Sequence, residues 1–452
     1  IRSIVNLEHP SLKVKNKLSP NQVLVLSFLG FIFIGTYLLH LPVASASEET
    51  ISWIDALFTA TSAACVTGLI VVDTGSYFSL FGQWIILILI QIGGIGIMTF
   101  STMFAFLLGK KISLRQRLII QESLNQFSIG GLVRLAKYIF LFTFFFEGLG
   151  TFFLYLNWHQ EGGNCSTLFL SFFHAVSAFC NAGFSLFSDS LEKYVSHVGI
   201  NIVFIILIIA GGIGFLVLVE LYEYPRRKKL SLHSKLVIII TLILLVVGSL
   251  GIFVFENQNP DTIQSYSLKA RILSSVFQSA TARTTGFNTI PIGQMSSAAL
   301  FLLVVLMLIG GSPTSAAGGI KTTTFGILFL RMIYTLKGKK HIYVFQRKIS
   351  EEIVNKALTV FMLTLSWTIV MTLFISYLED FSFIELLFEM ISAFGTVGLS
   401  AGITSSLSFT SKIIIILTMF FGRLGPLALA MSLIINRQPE SIQYPEDRVM
   451  VG

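Results

Sequence analysis

Charge is scarce in this chain. Charged side chains make up 12% of its 452 residues, where about 25% is usual for a soluble domain. A water-soluble globule of this length would have to cover its surface with apolar side chains, so that class is excluded. A disordered chain is excluded too, because it needs high charge and few aromatics. Cysteine is nearly absent. Cys65, Cys165 and Cys180 are the only three, with no CxxC or Cys/His spacing, which excludes a disulfide framework and a zinc site. The 7 histidines are scattered, with no HxxxH pair and no nucleophile–base cluster, so an enzyme has little to work with.

What the chain does have is apolar surface. It is 54% hydrophobic, with 42 Phe and a mean hydropathy of +0.81. That is the composition of an integral membrane protein. In such a chain a net charge of +8 records which loops face the cytoplasm, and no nucleic-acid partner is expected.

A spanning helix needs about 20 mostly apolar residues. Eight stretches qualify: Val23–Leu41, Trp84–Leu108, Leu135–Leu156, Ile200–Val219, Leu236–Phe255, a broken one from Ala298 to Ile333, Ala357–Tyr377 and Ile413–Ile435. The start, Ile1–Gln22, is polar and basic and does not read as a cleavable signal peptide. Most of the 31 Lys and Arg fall on one set of connections. They are Arg2, Lys13, Lys15 and Lys17 before the first span; Lys110, Lys111, Arg115, Arg117, Arg134 and Lys137; Arg226–Lys229 and Lys235; Arg331, Lys337, Lys339, Lys340, Arg347, Lys348 and Lys356; and Arg437 and Arg448 at the end. The opposite connections hold Lys193, Lys269 and Lys412. This bias places both termini in the cytoplasm.

Each opposite connection also contains a shorter apolar stretch: Trp53–Leu69, Leu168–Phe184, Ile272–Phe287 and Ile384–Leu399. These are too short to span and too apolar for solvent-exposed loops, so they read as re-entrant hairpins. They align on their last glycine. The endings are CysValThrGlyLeu at 65–69, CysAsnAlaGlyPhe at 180–184, ArgThrThrGlyPhe at 283–287 and GlyThrValGlyLeu at 395–399. Ten residues before each glycine lies an apolar residue (Phe58, Phe173, Val276, Phe388), and six before it a small one (Ser62, Ser177, Ala280, Ser392). Gly68, Gly183, Gly286 and Gly398 thus recur about every 110 residues, a period that holds one span, one hairpin and one span.

The expected fold is all-α and membrane-embedded: eight transmembrane helices plus four re-entrant pore hairpins, in four pseudo-symmetric repeats around one pore. The boundaries read as a cytoplasmic segment 1–22, repeats at 23–109, 110–224, 225–340 and 341–436, and a cytoplasmic tail 437–452. Non-helical backbone at membrane depth is tolerated only where its carbonyls face protein or a watery path. Four such segments around an axis present rings of carbonyls that can replace the hydration shell of a monovalent cation.

At this point a resemblance emerges. ThrValGly at 396–398 looks like a potassium-channel filter. The runs TrpIleAspAlaLeuPheThrAla at 53–60, SerAlaPheCysAsnAlaGlyPhe at 177–184, ThrAlaArgThrThrGlyPheAsn at 281–288 and SerAlaPheGlyThrValGly at 392–398 resemble the Trk/Ktr/HKT superfamily of potassium transporters. Across essentially the whole chain the likeness is to the bacterial Ktr membrane subunit. The resemblance implies a selectivity filter at Cys65, Val66, Thr67 and Gly68; Cys180, Asn181, Ala182 and Gly183; Arg283, Thr284, Thr285 and Gly286; and Gly395, Thr396, Val397 and Gly398. With Gly68 in place, where a Ser goes with sodium preference in this superfamily, it implies potassium as the transported ion.

The same resemblance makes the break in the sixth span a gating loop: Gly310, Gly311, Ser312, Pro313, Thr314, Ser315, Ala316, Ala317, Gly318, Gly319 and Lys321. It also makes Arg423, in PheGlyArgLeuGlyPro at 421–426, a residue of the conduit that contacts the loop. It further implies a homodimer in the bacterial cell membrane and a cytoplasmic ring of nucleotide-binding regulatory subunits. The ring would dock on Asn436–Gly452 and the basic connection around Lys337–Arg347. Sodium enters as an activator whose site the sequence does not locate, and no nucleotide site is expected in this chain.

Several features carry a plainer reading. GlyGlyIleGly at 93–96 and 211–214 lies mid-span with no preceding strand, so close helix packing is favoured over a dinucleotide site. Gly318–Thr322 lacks the order of a phosphate loop. Lys321 is either a gate element or a side chain reaching the cytoplasmic interface. Arg283 is expected to brace its hairpin, through carbonyls or an acid such as Glu389, rather than aim a cation into a cation path. Glu147 reads as a buried, partnered carboxylate and His174 as a satisfied core histidine. Asn164-Cys165-Ser166 fits a glycosylation sequon of meaning only in a eukaryotic host. The alternative function is a coupled secondary transporter of another cation or solute, which predicts inverted repeats where these run parallel.

Overall fold

The computed structural model describes residues 20–97, 99–100, 132–162 and 165–433. The expectations for Arg2 to Lys17, Lys110 to Arg117, Asn164 and the tail Asn436–Gly452 therefore lie outside the described residues.

The helices fall into four similar groups. The first is α1 (Pro20–His40), α2 (Trp53–Ala64), the one-turn α3 (Thr74–Tyr77) and α4 (Leu80–Ile95). The second is α5 (Leu132–Gly162), α6 (Cys165–Phe179), α7 (Val198–Gly212) and α8 (Phe215–Arg227). The third is α9 (Leu232–Glu256), α10 (Leu268–Thr281), α11 (Ser297–Leu308) and α12 (Thr322–Leu336). A small antiparallel ribbon, β1 (Tyr343–Val344) with β2 (Arg347–Lys348), pairs Tyr343 with Lys348 and leads into the fourth group. That group is α13 (Glu351–Leu378), α14 (Phe383–Gly395), α15 (Phe409–Leu424) and α16 (Pro426–Leu433).

Among the described residues, four helices are long and apolar enough to cross a membrane: Gln22–His40, Arg134–His159, Leu232–Glu256 and Glu351–Leu378. They open each group and turn apolar side chains outward. Phe144, Leu242, Val254 and Leu373 are each more than half exposed, which only an acyl-chain solvent favours. The short helices α2, α6, α10 and α14 sit inside, with Phe58, Phe173 and Phe388 fully buried. Val276, the aligned residue of the third group, is only half-buried, and its neighbour Phe277 fills the core instead.

Serines start three of these inner helices. Ser52, Ser267 and Ser382 each accept a hydrogen bond from the backbone N–H three residues on. At Ser382 the Glu385 carboxylate in turn accepts the Ser382 N–H at 3.0 Å, a complete capping box. Ser382→Ala is expected to cost about 1 kcal/mol, read as a lower thermal midpoint in detergent. The first and fourth groups are tied by the ion pair of Lys412 Nζ with Asp55 Oδ1 at 2.8 Å, shielded from solvent on both sides.

The second expected span of every group departs from a continuous helix. Only the sixth stretch was expected to break, yet all four do. α4 ends before Gly96, α7 and α8 meet at Gly214 with a bend of 101°, and α15 ends at Gly425. The three glycines share one conformation: φ/ψ is 90°/124°, 96°/132° and 86°/139°. A glycine at positive φ ends a helix at no steric cost, and Pro426 then opens the next one at its first position. Within the described residues, the stretches expected at Trp84–Leu108, Ile200–Val219 and Ile413–Ile435 are thus each interrupted, at Gly96, Gly214 and Gly425. The packing reading of GlyGlyIleGly holds beside the break, since a Cβ on Gly93 would run into Ala64 O and one on Gly211 into Phe179 O.

Candidate functional site

The four inner helices end at the aligned motifs, and there the backbone repeats a rare pattern. Two residues before each glycine, Val66, Asn181, Thr284 and Thr396 have φ of 59°, 58°, 79° and 49°. The glycines themselves, Gly68, Gly183, Gly286 and Gly398, have φ of 93°, 70°, 88° and 89°. In an ordinary strand successive carbonyls point to opposite sides; reversing the hand at alternate residues turns them to the same side. A left-handed non-glycine residue costs about 1–2 kcal/mol, so a conformation kept four times is imposed by the surroundings.

The segments close into a ring. A Cβ placed on Gly68 would strike Ala182 O and lie 3.1 Å from Gly183 Cα. One on Gly183 would strike Thr285 O, one on Gly286 would strike Val397 O, and one on Gly398 would strike Thr67 O. The order 68, 183, 286, 398 and back to 68 is cyclic. It gathers the carbonyl oxygens of Thr67, Ala182, Thr285 and Val397 at one level.

The small residue six before the glycine has a task here. Ser62 and Ser392 hydroxyls accept the N–H of Gly68 and Gly398, each at 3.1 Å, and Ser177 donates to Phe184 O at 2.8 Å. Ala280 cannot, and the third segment departs in other ways. Arg283 Nη2 donates to Thr241 Oγ1 at 3.3 Å. Arg283 therefore braces its segment against α9 through a hydroxyl, and Glu389 is not its partner. That carboxylate is taken by Ser400, Ala401 and Thr404. Asn181 meets the Thr284 hydroxyl at 3.3 Å, linking the second and third segments. Behind the second segment, Cys180 Sγ lies 3.8 Å from both Gln91 Oε1 and Glu147 Oε1, and Gln91 donates to Glu147 at 3.1 Å. Glu147 is the buried, partnered carboxylate that was expected.

Against the ring lies the segment between α11 and α12. Ile309 pairs with Ile320 to close it into a loop, and Gly318 and Gly319 press on the fourth ring segment, where a Cβ would meet Thr396 Oγ1 and Gly395 Cα. The loop is held by the broken helices. Gly212 O accepts from Ser312 N at 2.9 Å and Gly211 O from Ala316 N at 3.3 Å. In return Thr314 O accepts Phe215 N at 3.0 Å, supplying a partner to the new start of α8. A helix end leaves such carbonyls and N–H groups unpaired, so the breaks furnish the loop with its anchors. Ser312 and Thr322 hydroxyls meet at 3.0 Å, and Gly311 O accepts Thr322 N at 3.1 Å. Pro313 and Ser315 complete the turn, Ser315 Oγ donating to Ser312 O at 2.7 Å.

Arg423 joins the parts, its guanidinium donating to Ala316 O in the loop and to Gly93 O at the end of α4. The expected contact with the loop is present. Lys321 folds back onto the loop through Nζ to Ala317 O at 2.6 Å, so it does not reach outward to an interface. Gly310 packs on Gly318 and Gly319. Sequence reasoning missed Thr241, Gly93, Gly211 and Gly212 as partners of the site. Their paired glycines were a visible signal, though one that packing alone explained.

These features define a class: a mostly helical protein of four similar helix groups, with a closed ring of backbone segments and an anchored loop beside it. The family model described as TrkH, cation transport protein, matches residues 8–444, and the chain belongs to that family, which comprises cation transporters and not enzymes. It is 43% identical over 436 residues to the Ktr system potassium uptake protein B of Bacillus subtilis, covering 96% of this chain and 97% of that one. It is 41% identical to the potassium/sodium uptake protein NtpJ of Enterococcus hirae, covering 97% and 99%. Among solved structures, the potassium transporter TrkH from Vibrio parahaemolyticus superposes with a TM-score of 0.71 at 19% identity, over 94% of this chain and 87% of that one, which is a likeness of fold.

Proposed function

We propose that this chain is the ion-translocating membrane subunit of a bacterial potassium uptake system. Four repeats, with boundaries at 23–109, 110–224, 225–340 and 341–436, contribute eight spans and four re-entrant hairpins, with both termini in the cytoplasm. The ring from Cys65–Gly68, Cys180–Gly183, Arg283–Gly286 and Gly395–Gly398 strips water from potassium and replaces it with carbonyl oxygens. The loop Gly310–Lys321, anchored by Arg423, is the gate. The subunit acts as a homodimer, and a cytoplasmic nucleotide-binding ring working on the basic connection near Lys337–Arg347 opens it. The Ktr system relatives support the regulatory partner, and the potassium/sodium naming of the Enterococcus hirae protein supports a role for sodium. One observation carries the reading: four glycines closed head to tail in a ring, each with a left-handed residue two positions before it.

The test is rubidium uptake in cells stripped of their own potassium systems, with the regulatory partner co-expressed. Wild type is expected to restore growth on limiting potassium. Gly68→Ser, whose Cβ would press on Ala182 O, is expected to lower rubidium uptake and, in the uptake that remains, to weaken potassium-over-sodium preference by about tenfold. No uptake by wild type, or an unchanged preference in the serine variant, would sink the reading.

A further inference from the structure

Nine residues before each ring glycine stand Thr59, His174, Phe277 and Glu389. All four are buried, and two are ionisable. His174 Nε2 lies 3.1 Å from Ser185 Oγ and accepts Leu186 N at 3.3 Å, while Nδ1 lies 2.8 Å from Leu170 O. A backbone N–H can only donate, so Nε2 is the acceptor. The imidazole is then neutral, with its proton on Nδ1 and directed at Leu170 O. Glu389 Oε1 accepts from the Ser400 hydroxyl and from Ala401 N, the latter at 3.2 Å, and Oε2 accepts Thr404 Oγ1 at 3.0 Å.

The two side chains, chemically unlike, hold the same targets. Ser185 and Ser400 each stand two residues past the ring glycine, and Leu186 and Ala401 three past it. Each side chain therefore ties the strand leaving the ring back to the helix that enters it. The other two positions cannot do this. Phe277 has no polar atom, and the Thr59 hydroxyl has no hydrogen-bond partner. In the cyclic order of the glycines the second segment lies opposite the fourth, so the two ties face each other across the ring.

We propose that His174 and Glu389 are positioning residues for ion discrimination, two opposed clasps that fix the spacing of the carbonyl ring. The proposal rests on reading that ring as the potassium filter. A ring discriminates between cations only while its carbonyls keep their number, orientation and spacing. The backbone beyond the glycine has no helix of its own to stiffen it, and buried hydrogen bonds to His174 and Glu389 constrain it. Removing a clasp frees one side of the ring to shrink around a smaller ion.

The full chain with its regulatory partner is assayed for rubidium uptake and for inhibition by sodium. Glu389→Ala is expected to raise the rubidium KM about tenfold, equivalent to losing one charge-assisted hydrogen bond, and to lower rubidium-over-sodium preference. Glu389→Gln keeps an acceptor for Ala401 N and is expected to stay within about threefold of wild type. His174→Ala, which removes a neutral acceptor, should shift both readouts in the same direction at smaller size, and Thr59→Val should leave both unchanged. If the alanine variants do not reach the membrane, Ser400→Ala and Thr404→Val each remove one donor and carry the same expectation at smaller size. Unchanged KM and preference in Glu389→Ala at wild-type abundance would overturn the proposal. So would a fall in maximal rate alone, or a glutamine variant as impaired as alanine. A wild type that takes up no rubidium would overturn the filter reading itself, and this inference with it.

Discussion

Gly398→Ala is expected to abolish rubidium uptake, a drop of at least about a hundredfold at equal abundance in the membrane. Two costs coincide. At φ of 89° an alanine is strained wherever it sits. Its Cβ would also press into Thr67 O and lie 2.9 Å from Gly68 Cα. These neighbours are backbone of the adjoining ring segment, not the free end of a side chain, so relief must distort the ring itself. About 3 kcal/mol of distortion borne by the conducting geometry corresponds to the hundredfold. The same argument covers Gly183, which strikes Thr285 O, and Gly286, which strikes Val397 O. Initial uptake rates normalised to protein in the membrane decide the matter. A Gly398→Ala protein working within about threefold of wild type would show that the ring is not the conducting element.

The second large effect runs the other way. Removing Thr314–Ala316, or replacing Arg423 by Gln, is expected to raise flux in cells without the regulatory partner. The deletion takes out Thr314 O, which anchors Phe215 N, and Ala316, whose N–H and C=O bond Gly211 and Arg423. The Arg423→Gln variant keeps the loop but loses the fork that clamps Ala316 O to Gly93 O. Glutamine is shorter and cannot span both carbonyls. Under the proposed gate Arg423 is also a positive charge beside the path, and its removal lowers that electrostatic barrier. A rise of about tenfold or more in partner-independent rubidium flux is the expected result. Flux that stays dependent on the partner in both variants would remove the loop from the gating role.

Much of this arrangement could be read from the chain before any coordinates. The four aligned glycines fixed where the inner helices would end, because a small residue six back and an apolar one ten back recur with them. The loop at Gly310–Lys321 was visible since two glycine pairs and a proline cannot lie mid-helix. What escaped was of one kind. At Gly96, Gly214 and Gly425 a single glycine decides between a packing contact and a helix break, and the neighbouring Gly93 and Gly211 do pack closely. At Gly214 the break is held from about 100 residues away, where Thr314 O accepts the Phe215 N–H. The brace of Arg283 went to Thr241 rather than Glu389 for a similar reason: Thr241 belongs to α9, whose face toward the ring depends on packing with α10 and α11, and the Glu389 carboxylate was already claimed by Ser400, Ala401 and Thr404.

The ring is written once, along a single covalent chain, and its closing contact joins Gly398 to Gly68. A ring assembled from identical subunits must accept every substitution on all its sides together. Here each quarter mutates alone. The chain already uses this freedom: one quarter carries an arginine three residues before its glycine, two carry cysteines there, and one has alanine where its counterparts have serine. Variation can therefore proceed by single ligands, adjusting one corner of a symmetric device while the other three preserve its operation. A uniform fourfold ring offers evolution only coarse steps, and this fused one offers fine ones.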